Sequence, residues 1–400
     1  MSLTLLLDLD DTLLDTNMDS FIPAYFQALA GALAGRIDPN EMLLALMGGT
    51  KRMFANEDPT LTLREVFDGF FFQKLGIERN SLQPEIDRFY DEVFPSLGKL
   101  TRPRPAAVDL AEWAFSQGFR VVIATNPLFP RKAIYQRMRW AGLPPEEYPF
   151  ALITSHENMH FTKSPAYYAE VMARLGWPED PVVMVGDDFE RDINPARQVG
   201  IPVFHVTTSG ESGILPAPDG AGMISDVRPW IERSDLTEWK LKFDTPGSIL
   251  AVLRSTPAGM ADLAENIPQE QWIRCPECDE WSLNEIFCHL RDVELEVNIP
   301  RVRSMIEETN PFIAGQVTDD WVQEREYDLQ DGHAALRVLA EARKSLVNLL
   351  SGLTPDDWKR TARHSIFGPT ELQELVGFVA SHDRSHIQQV MKTIQEVVAQ

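Results

Sequence analysis

Short apolar runs with strand character recur at 4–9, 120–125, 150–154, 182–186 and 202–206, and then stop. From about residue 247 onward, apolar residues follow helical spacing alone. Strands alternating with helical stretches predict an α/β domain with a mainly parallel sheet, because parallel neighbours are joined through crossover helices. A chain that abandons this alternation halfway must build a second core, and 400 residues exceed what one core usually organises. The expectation is an α/β domain followed by an all-α domain of about 150 residues.

The first two strands are separated by an insert, 16–104, with helical spacing in FIPAYFQALAGAL and EVFDGFFFQKL. The expected division is therefore a core at 1–15 and 105–235, a helical cap at 16–104, a polar linker at 236–246 and a bundle at 247–400. Within the cap, LMGGTKRM reads as a flexible turn that offers Lys51 and Arg52 to an anionic substrate, or as a solvated helix end. SGESGILPAPDGAG reads as connecting loop, and VRPWIERS as a short helix. In the bundle, Ser282 with Glu285 and Thr370 with Gln373 have the spacing of capping boxes. Asp331 suits a third helix start, and Pro300 should kink or end the second helix.

The charge balance narrows the partners. Sixty acidic against 37 basic side chains give a net charge of -23, which repels nucleic acid and anionic membrane surfaces. No run reaches membrane-spanning length, and MSLTLLLDLDD has neither the basic start nor the cleavage site of a signal peptide. With only three cysteines, a cytoplasmic protein without a disulfide framework is expected.

The strands of the first half end in chemistry. LLLDLDDTLL closes on Asp8, Asp10 and Thr12; VVIAT closes on Thr125; VVMVG closes on Asp187 and Asp188, with Asp192 shortly after; and TKSPAYY sets Lys163 at a helix start. Ligands bind such sheets at the carboxyl ends of strands. Carboxylates crowded there cannot all stay ionised without a cation, and hard oxygen ligands suit Mg²⁺. Such an ion, with Lys163, would draw a phosphate dianion against Asp8.

In this order DLDDT, IATN, TKSP and VGDDFERD resemble the four motifs of haloacid dehalogenase-like hydrolases, over residues 1 to about 235. The resemblance implies a Rossmann-like core with a helical cap, and a phosphatase acting on a small phosphorylated metabolite. It implies that Asp8 attacks phosphorus, that Asp10 acts as general acid and then base, that Thr125 donates to a phosphoryl oxygen, and that Lys163 bridges Asp8 and phosphate. Mg²⁺ would be held by Asp8, the Asp10 backbone carbonyl and Asp187, with Asp192 acting through a water and Asp188 open between the two roles. True haloacid dehalogenases lack the second aspartate, so Asp10 disfavours dehalogenation.

The bundle carries its own constellation. His382 and His386 in VASHDRSHIQQV lie four residues apart, on one face of a helix, and His289 lies on the second helical segment. An imidazole triad suits Zn²⁺, Ni²⁺ or Fe²⁺, whereas an unmetallated polar stripe is the plainer reading. WSLNEIFCHLRDVE, DDWVQEREYDL and FGPTELQELVGFVASHDRSHIQQV resemble DinB-like four-helix metalloproteins over about 247–398, which implies that these three histidines are the ligands. The resemblance leaves open a low-molecular-weight thiol as co-substrate, a transferase or hydrolase activity, and a non-catalytic binding or homodimerisation module. Cys275 and Cys278 could contribute to a zinc site, but without a second pair they read as loop residues, and Cys288 as a core residue. His156, His160, His205, His333 and His364 have no partner spacing and read as structural or exposed.

Overall fold

A computed structural model describes residues 2–207, 217–239, 241–277 and 280–399. By its internal contacts the chain divides into two units. One comprises Met1–Glu57, Leu61–Ser164 and Pro178–Leu241; the other comprises Asp58–Thr60, Pro165–Trp177 and Lys242–Gln400.

The first unit is α/β. Its parallel sheet contains β1 (Thr4–Leu7), β2 (Arg120–Ile123), β3 (Leu152–Ile153), β4 (Val182–Gly186), β5 (Val203–Val206) and β6 (Gly220–Gly222), in the order β3-β2-β1-β4-β5-β6. Thr4 of β1 registers with Arg120 on one side and Val182 on the other, so β1 is flanked by both strands. Its Leu5, Leu6 and Leu7 are buried on both faces, which is why the run is uninterruptedly apolar rather than alternating. The five expected strands form, each somewhat shorter than or equal to its apolar run. The sixth corrects the reading of SGESGILPAPDGAG as loop throughout: GAG has no side chain large enough to produce a strand signal, yet it pairs with β5. Residues 209–216 of that segment lie outside the described residues.

The insert is helical: α1 (Met18–Leu33), α2 (Pro39–Phe54), α3 (Leu63–Leu75) and α4 (Arg79–Arg88). Leu14–Asp15 pairs antiparallel with Arg102–Pro103, where the chain leaves for the insert and returns from it. The sequence LMGGTKRM is not a flexible turn but the C-terminal half of α2, with Lys51 and Arg52 exposed in its last turn, the solvated helix end of the alternative reading. Its glycines serve close packing: a Cβ on Gly48 would lie 2.3 Å from the Phe70 ring and one on Gly49 2.7 Å from the Phe67 ring. Arg52 stacks on Phe70, and neither it nor Lys51 lines the acidic cavity described below. After the insert come α5 (Pro105–Ser116) and α6 (Arg131–Trp140).

In the second unit, α7 (Pro165–Arg174) packs against α8 (Pro246–Ala264), with Arg174 paired to Asp262 at 2.6 Å. The remaining long helices are α9 (Leu283–Val293), α10 (Ile299–Glu307), α11 (Gly332–Ser351) and α12 (Leu372–Ala399). Ser282 and Glu285 form the expected capping box, and Asp331 caps α11 through Ala334 N–H. Thr370 and Gln373 do not form a box: Thr370 lies in a strand, Glu374 accepts from Glu371 N–H, and the Gln373 amide donates to the Asp244 carbonyl. Between α9 and α10 a wide helical turn, Glu294–Asn298, delivers the chain to Pro300 at the second position of α10, where a missing N–H costs nothing. The bundle is not purely helical. Phe312–Ile313 (β7), Thr361–His364 (β8) and Gly368–Glu371 (β9) form a small sheet in the order β9-β8-β7, from segments too short to register as apolar periodicity. Among the described residues no helix is long and apolar enough to cross a membrane.

Candidate active site and metal centre

Asp8 follows β1 directly, and its backbone N–H donates to the Val185 carbonyl of β4, which fixes its height at the sheet's carboxyl edge. Lys163 Nζ donates to Asp8 Oδ1 at 2.5 Å and also to Asp192. Asp187, at the end of β4, is oriented by the Thr12 hydroxyl at 3.1 Å, and its carbonyl accepts from His205 Nε2 at 2.9 Å. Carboxylate oxygens of Asp8, Asp187 and Asp192 lie within 4.8 Å of one another. Gly186 makes room for this cluster, because a Cβ there would sit 2.4 Å from the Asp192 carboxyl.

Asp188 has a different task. Its side chain accepts from Glu190 and Arg191 N–H and so caps the turn Phe189–Ile193, while its own N–H holds Asp192 Oδ2 at 3.1 Å. Asp10 is held apart from the cluster: its carboxylate pairs with Arg137 and accepts from the Thr16 hydroxyl at 3.0 Å. Asp11 and Asn17 adopt left-handed backbone, and Asp11 ties the turn together by accepting from Thr16 and Asn17 N–H. Asp8, Asp10, Thr125, Asn126 and Lys163 face one cavity of about 200 Å³. Sequence reasoning gathered Asp8, Asp10, Thr125 and Lys163 but missed Asn126, Arg137 and His205. Arg137 is fully buried on the apolar face of α6 among Ala133, Ile134 and Met138, and its guanidinium lies over the Phe129 ring at 4.4 Å. An arginine in phase with that buried stripe was the available signal.

Electrostatics explain why this arrangement calls for a cation. Burial raises the carboxyls of Asp187 and Asp192 well above the ordinary range, and the nearby Asp8 charge raises them further; Lys163 pulls the other way. Asp10 is likewise raised by burial, against the pull of Arg137. Three close carboxylates facing one lysine form a set of hard oxygen donors with negative charge to spare, which fits a divalent ion such as Mg²⁺.

In the second unit, nitrogen atoms of His289 on α9 and of His382 and His386 on α12 converge within 4.8 Å. His386 Nδ1 donates to Gln389 Oε1 at 2.7 Å, which leaves its Nε2 lone pair facing His382 Nε2 at 3.1 Å. Trp281 stacks on the His386 ring at 6.1 Å and an interplanar angle of 14°. Burial, reinforced by the neighbouring imidazoles, lowers His289 to about 3 and His386 to about 4; burial and the Arg343 charge lower His382 to about 4. Neutral, convergent imidazoles are the form a transition metal binds. Beneath them Arg343, buried in α11, makes two-pronged contacts with Glu294 and Asp383.

Cys288 is buried in α9 and its thiol is pushed up to about 11 by burial. Cys275 is exposed, 3.6 Å from the capping-box Glu285, and Cys278 lies outside the described residues. His333 stacks on Trp272, and His364 accepts from Ile366 and Phe367 N–H in the β8–β9 turn.

A sheet with its nucleophile candidate at the edge of β1, beside an acidic cluster, defines a hydrolase class, and comparison with known families agrees. Residues 3–200 match the family model of haloacid dehalogenase-like hydrolases, and residues 253–390 match that of the DinB superfamily. Among curated proteins it is 27% identical over 107 residues to an Oceanobacillus iheyensis protein, by name a conjectured metal-dependent hydrolase, covering 27% of this chain and 61% of that one. It is 24% identical over 146 residues to YuaE of Bacillus subtilis, covering 34% and 89% respectively. Among solved structures, a 2-haloacid dehalogenase from Pseudomonas syringae is similar at 22% identity and a TM-score of 0.43, over 58% of this chain and 99% of that one. YfiT of Bacillus subtilis, described as an unusual four-helix bundle, is similar at 21% identity and a TM-score of 0.35, over 41% and 90%.

Proposed function

We propose that the first unit is a Mg²⁺-dependent phosphomonoester hydrolase for a small phosphorylated metabolite. The observation that carries this reading is the separation of roles among the aspartates: Asp8, Asp187 and Asp192 converge around Lys163, while Asp10 is held aside by Arg137. The Asp8 carboxylate attacks phosphorus as the ester P–O bond breaks, and Asp10 gives its proton to the departing alkoxide. Asp10 then takes a proton from water, whose oxygen displaces the Asp8 carboxylate from phosphorus and releases inorganic phosphate. Lys163, with Thr125 and Asn126 in the same cavity, binds phosphoryl oxygens and offsets their repulsion with Asp8. When bound by Asp8, Asp187, the Asp10 carbonyl and, through water, Asp192, Mg²⁺ would supply further charge neutralisation on the phosphoryl group. Phosphate release from a panel of phosphoesters with Mg²⁺ tests the reading: Asp8→Asn should abolish it, and undiminished release in that variant sinks the proposal.

The convergent histidines favour a second reading alongside the first, a transition-metal centre of Zn²⁺, Ni²⁺ or Fe²⁺ held by His289, His382 and His386. Its chemistry would be metal-dependent hydrolysis or transfer to a low-molecular-weight thiol, with a non-catalytic binding or dimerisation module as the alternative. Metal analysis of the full chain decides the premise: the purified protein should retain a transition metal that His382→Ala loses, and equal metal content in both proteins refutes it.

A further inference from the structure

A cavity of about 190 Å³ in the second unit reaches His382 from the side of α10 and the small sheet. Its walls are apolar where Val293, Val297, Leu375 and Val379 face it. Toward its mouth stand Phe367 and Phe378, with ring centroids 4.6 Å apart and both about half exposed. Val317 and Ile366, next in the chain to lining residues, are 70% exposed. Large apolar side chains gathered at the opening of a cavity are costly to leave in water, and they mark ligand sites.

One charged side chain, Arg301 of α10, lines this cavity. Its Nη2 donates to the Ala314 carbonyl at 2.7 Å, and among the described residues no carboxylate lies within ion-pair distance of it. Unlike Arg384, the other arginine whose pKa burial alone lowers, which lies over the Trp177 and Phe243 rings, Arg301 faces an open cavity. Apart from the Ala314 carbonyl, no acceptor among the described residues offsets its desolvation, and burial pulls its pKa below the ordinary arginine value. A planar guanidinium with donors to spare matches a carboxylate, which it grips through two parallel hydrogen bonds. A phosphate dianion would call for a second cation, which the lining does not supply.

We propose that this cavity binds an amphipathic monocarboxylate, its carboxylate on Arg301, its apolar body between the Phe367 and Phe378 side and the valine wall, and its far end toward His382. The proposal deepens the second reading above and borrows from it only the role of the far end.

Isothermal titration of the metal-free full chain with 4-phenylbutyrate and with 4-phenylbutan-1-ol tests it. The carboxylate should bind more tightly than the alcohol, and Arg301→Gln should weaken it by about tenfold or more while leaving the alcohol unchanged. Arg301→Lys should recover part of the loss, and Phe378→Ala should weaken both probes alike. Carboxylate affinity unaltered by Arg301→Gln, an alcohol that binds as tightly as the acid, or no binding of 4-phenylbutyrate at millimolar concentration overturns the proposal. Zinc content of the same protein after reloading is read separately. A chain that holds no zinc yet binds 4-phenylbutyrate through Arg301 would refute the metal reading and leave this one standing.

Discussion

Replacing Arg343 by methionine should unfold the second unit more readily than any surface change could, and the structure sets the size of the effect. Arg343, Glu294 and Asp383 are each at most 1% exposed. The guanidinium spends its donors on both carboxylates, with contacts at 2.6 and 3.1 Å to Glu294 and 3.1 Å to Asp383, and on the Leu253 carbonyl at 3.3 Å. Methionine fills most of the volume but leaves two buried carboxylates without their cation. Removing one partner of a buried ion pair costs about 3–5 kcal/mol. For a unit of this size each kcal/mol lowers the melting temperature by about 2–4 °C, which predicts a fall of roughly 6–20 °C in the second unit's transition. Scanning calorimetry of the full chain measures it. The deficit should shrink between pH 8 and pH 5, because the orphaned carboxylates can protonate in the folded variant and cease to be buried charges. Adding Glu294→Gln and Asp383→Asn should restore part of the loss. A fall below about 2 °C, or a deficit that grows on acidification, would refute the reasoning.

Three further outcomes follow from the sites. Arg137→Met should lower kcat for a phosphoester by about 10²-fold with little change in KM, since it positions Asp10; a loss confined to KM would mean that it grips substrate instead. Gly186→Ala drives a methyl group into the Asp192 carboxyl, so the Mg²⁺ concentration giving half-maximal activity should rise at least about tenfold while far-ultraviolet dichroism is unchanged; an unaltered Mg²⁺ titration would contradict the close approach. The triad histidines stay neutral in the folded chain down to about pH 4 or below, whereas in the unfolded chain they protonate near pH 6.5. Their contribution is therefore present above pH 6.5 and is lost as pH falls toward 4, so urea midpoints of the metal-free protein should drop from pH 7.5 to pH 5, and a flat profile would count against buried neutral imidazoles.

The parts of this molecule legible in its sequence are those where one physical cause acts on neighbouring residues. The inner strands β1, β4 and β5 are buried on both faces, so their apolar runs are continuous, and the aspartates that follow β1 and β4 fall where the sheet collects ligands. His382 and His386 share a helical face by spacing alone, and the Ser282 box is a four-residue affair. What escaped depends on distant partners. GAG is a strand because β5 is beside it, and the small sheet joins segments about fifty residues apart. The glycines of α2 look like a turn until Phe67 and Phe70 fill the space they leave. Arg137 reads as a surface cation unless Asp10 is known to stand across from it.

The wide turn Glu294–Asn298 has a consequence for how such a chain tolerates change in length. A π-type turn spends one residue more than an α-turn on about the same rotation, so deleting a single residue there would restore a regular helix and leave everything beyond it in nearly the same phase relative to His289. Arg301 would keep its side of the helix, whereas deleting a residue from the regular turns of α9 after His289 would swing it off the cavity by about 100°. The turn therefore buffers length: a chain one residue shorter here would keep the angular phase between the histidine centre and the cation that faces its cavity, while the same change in the regular helix between His289 and Arg301 would not.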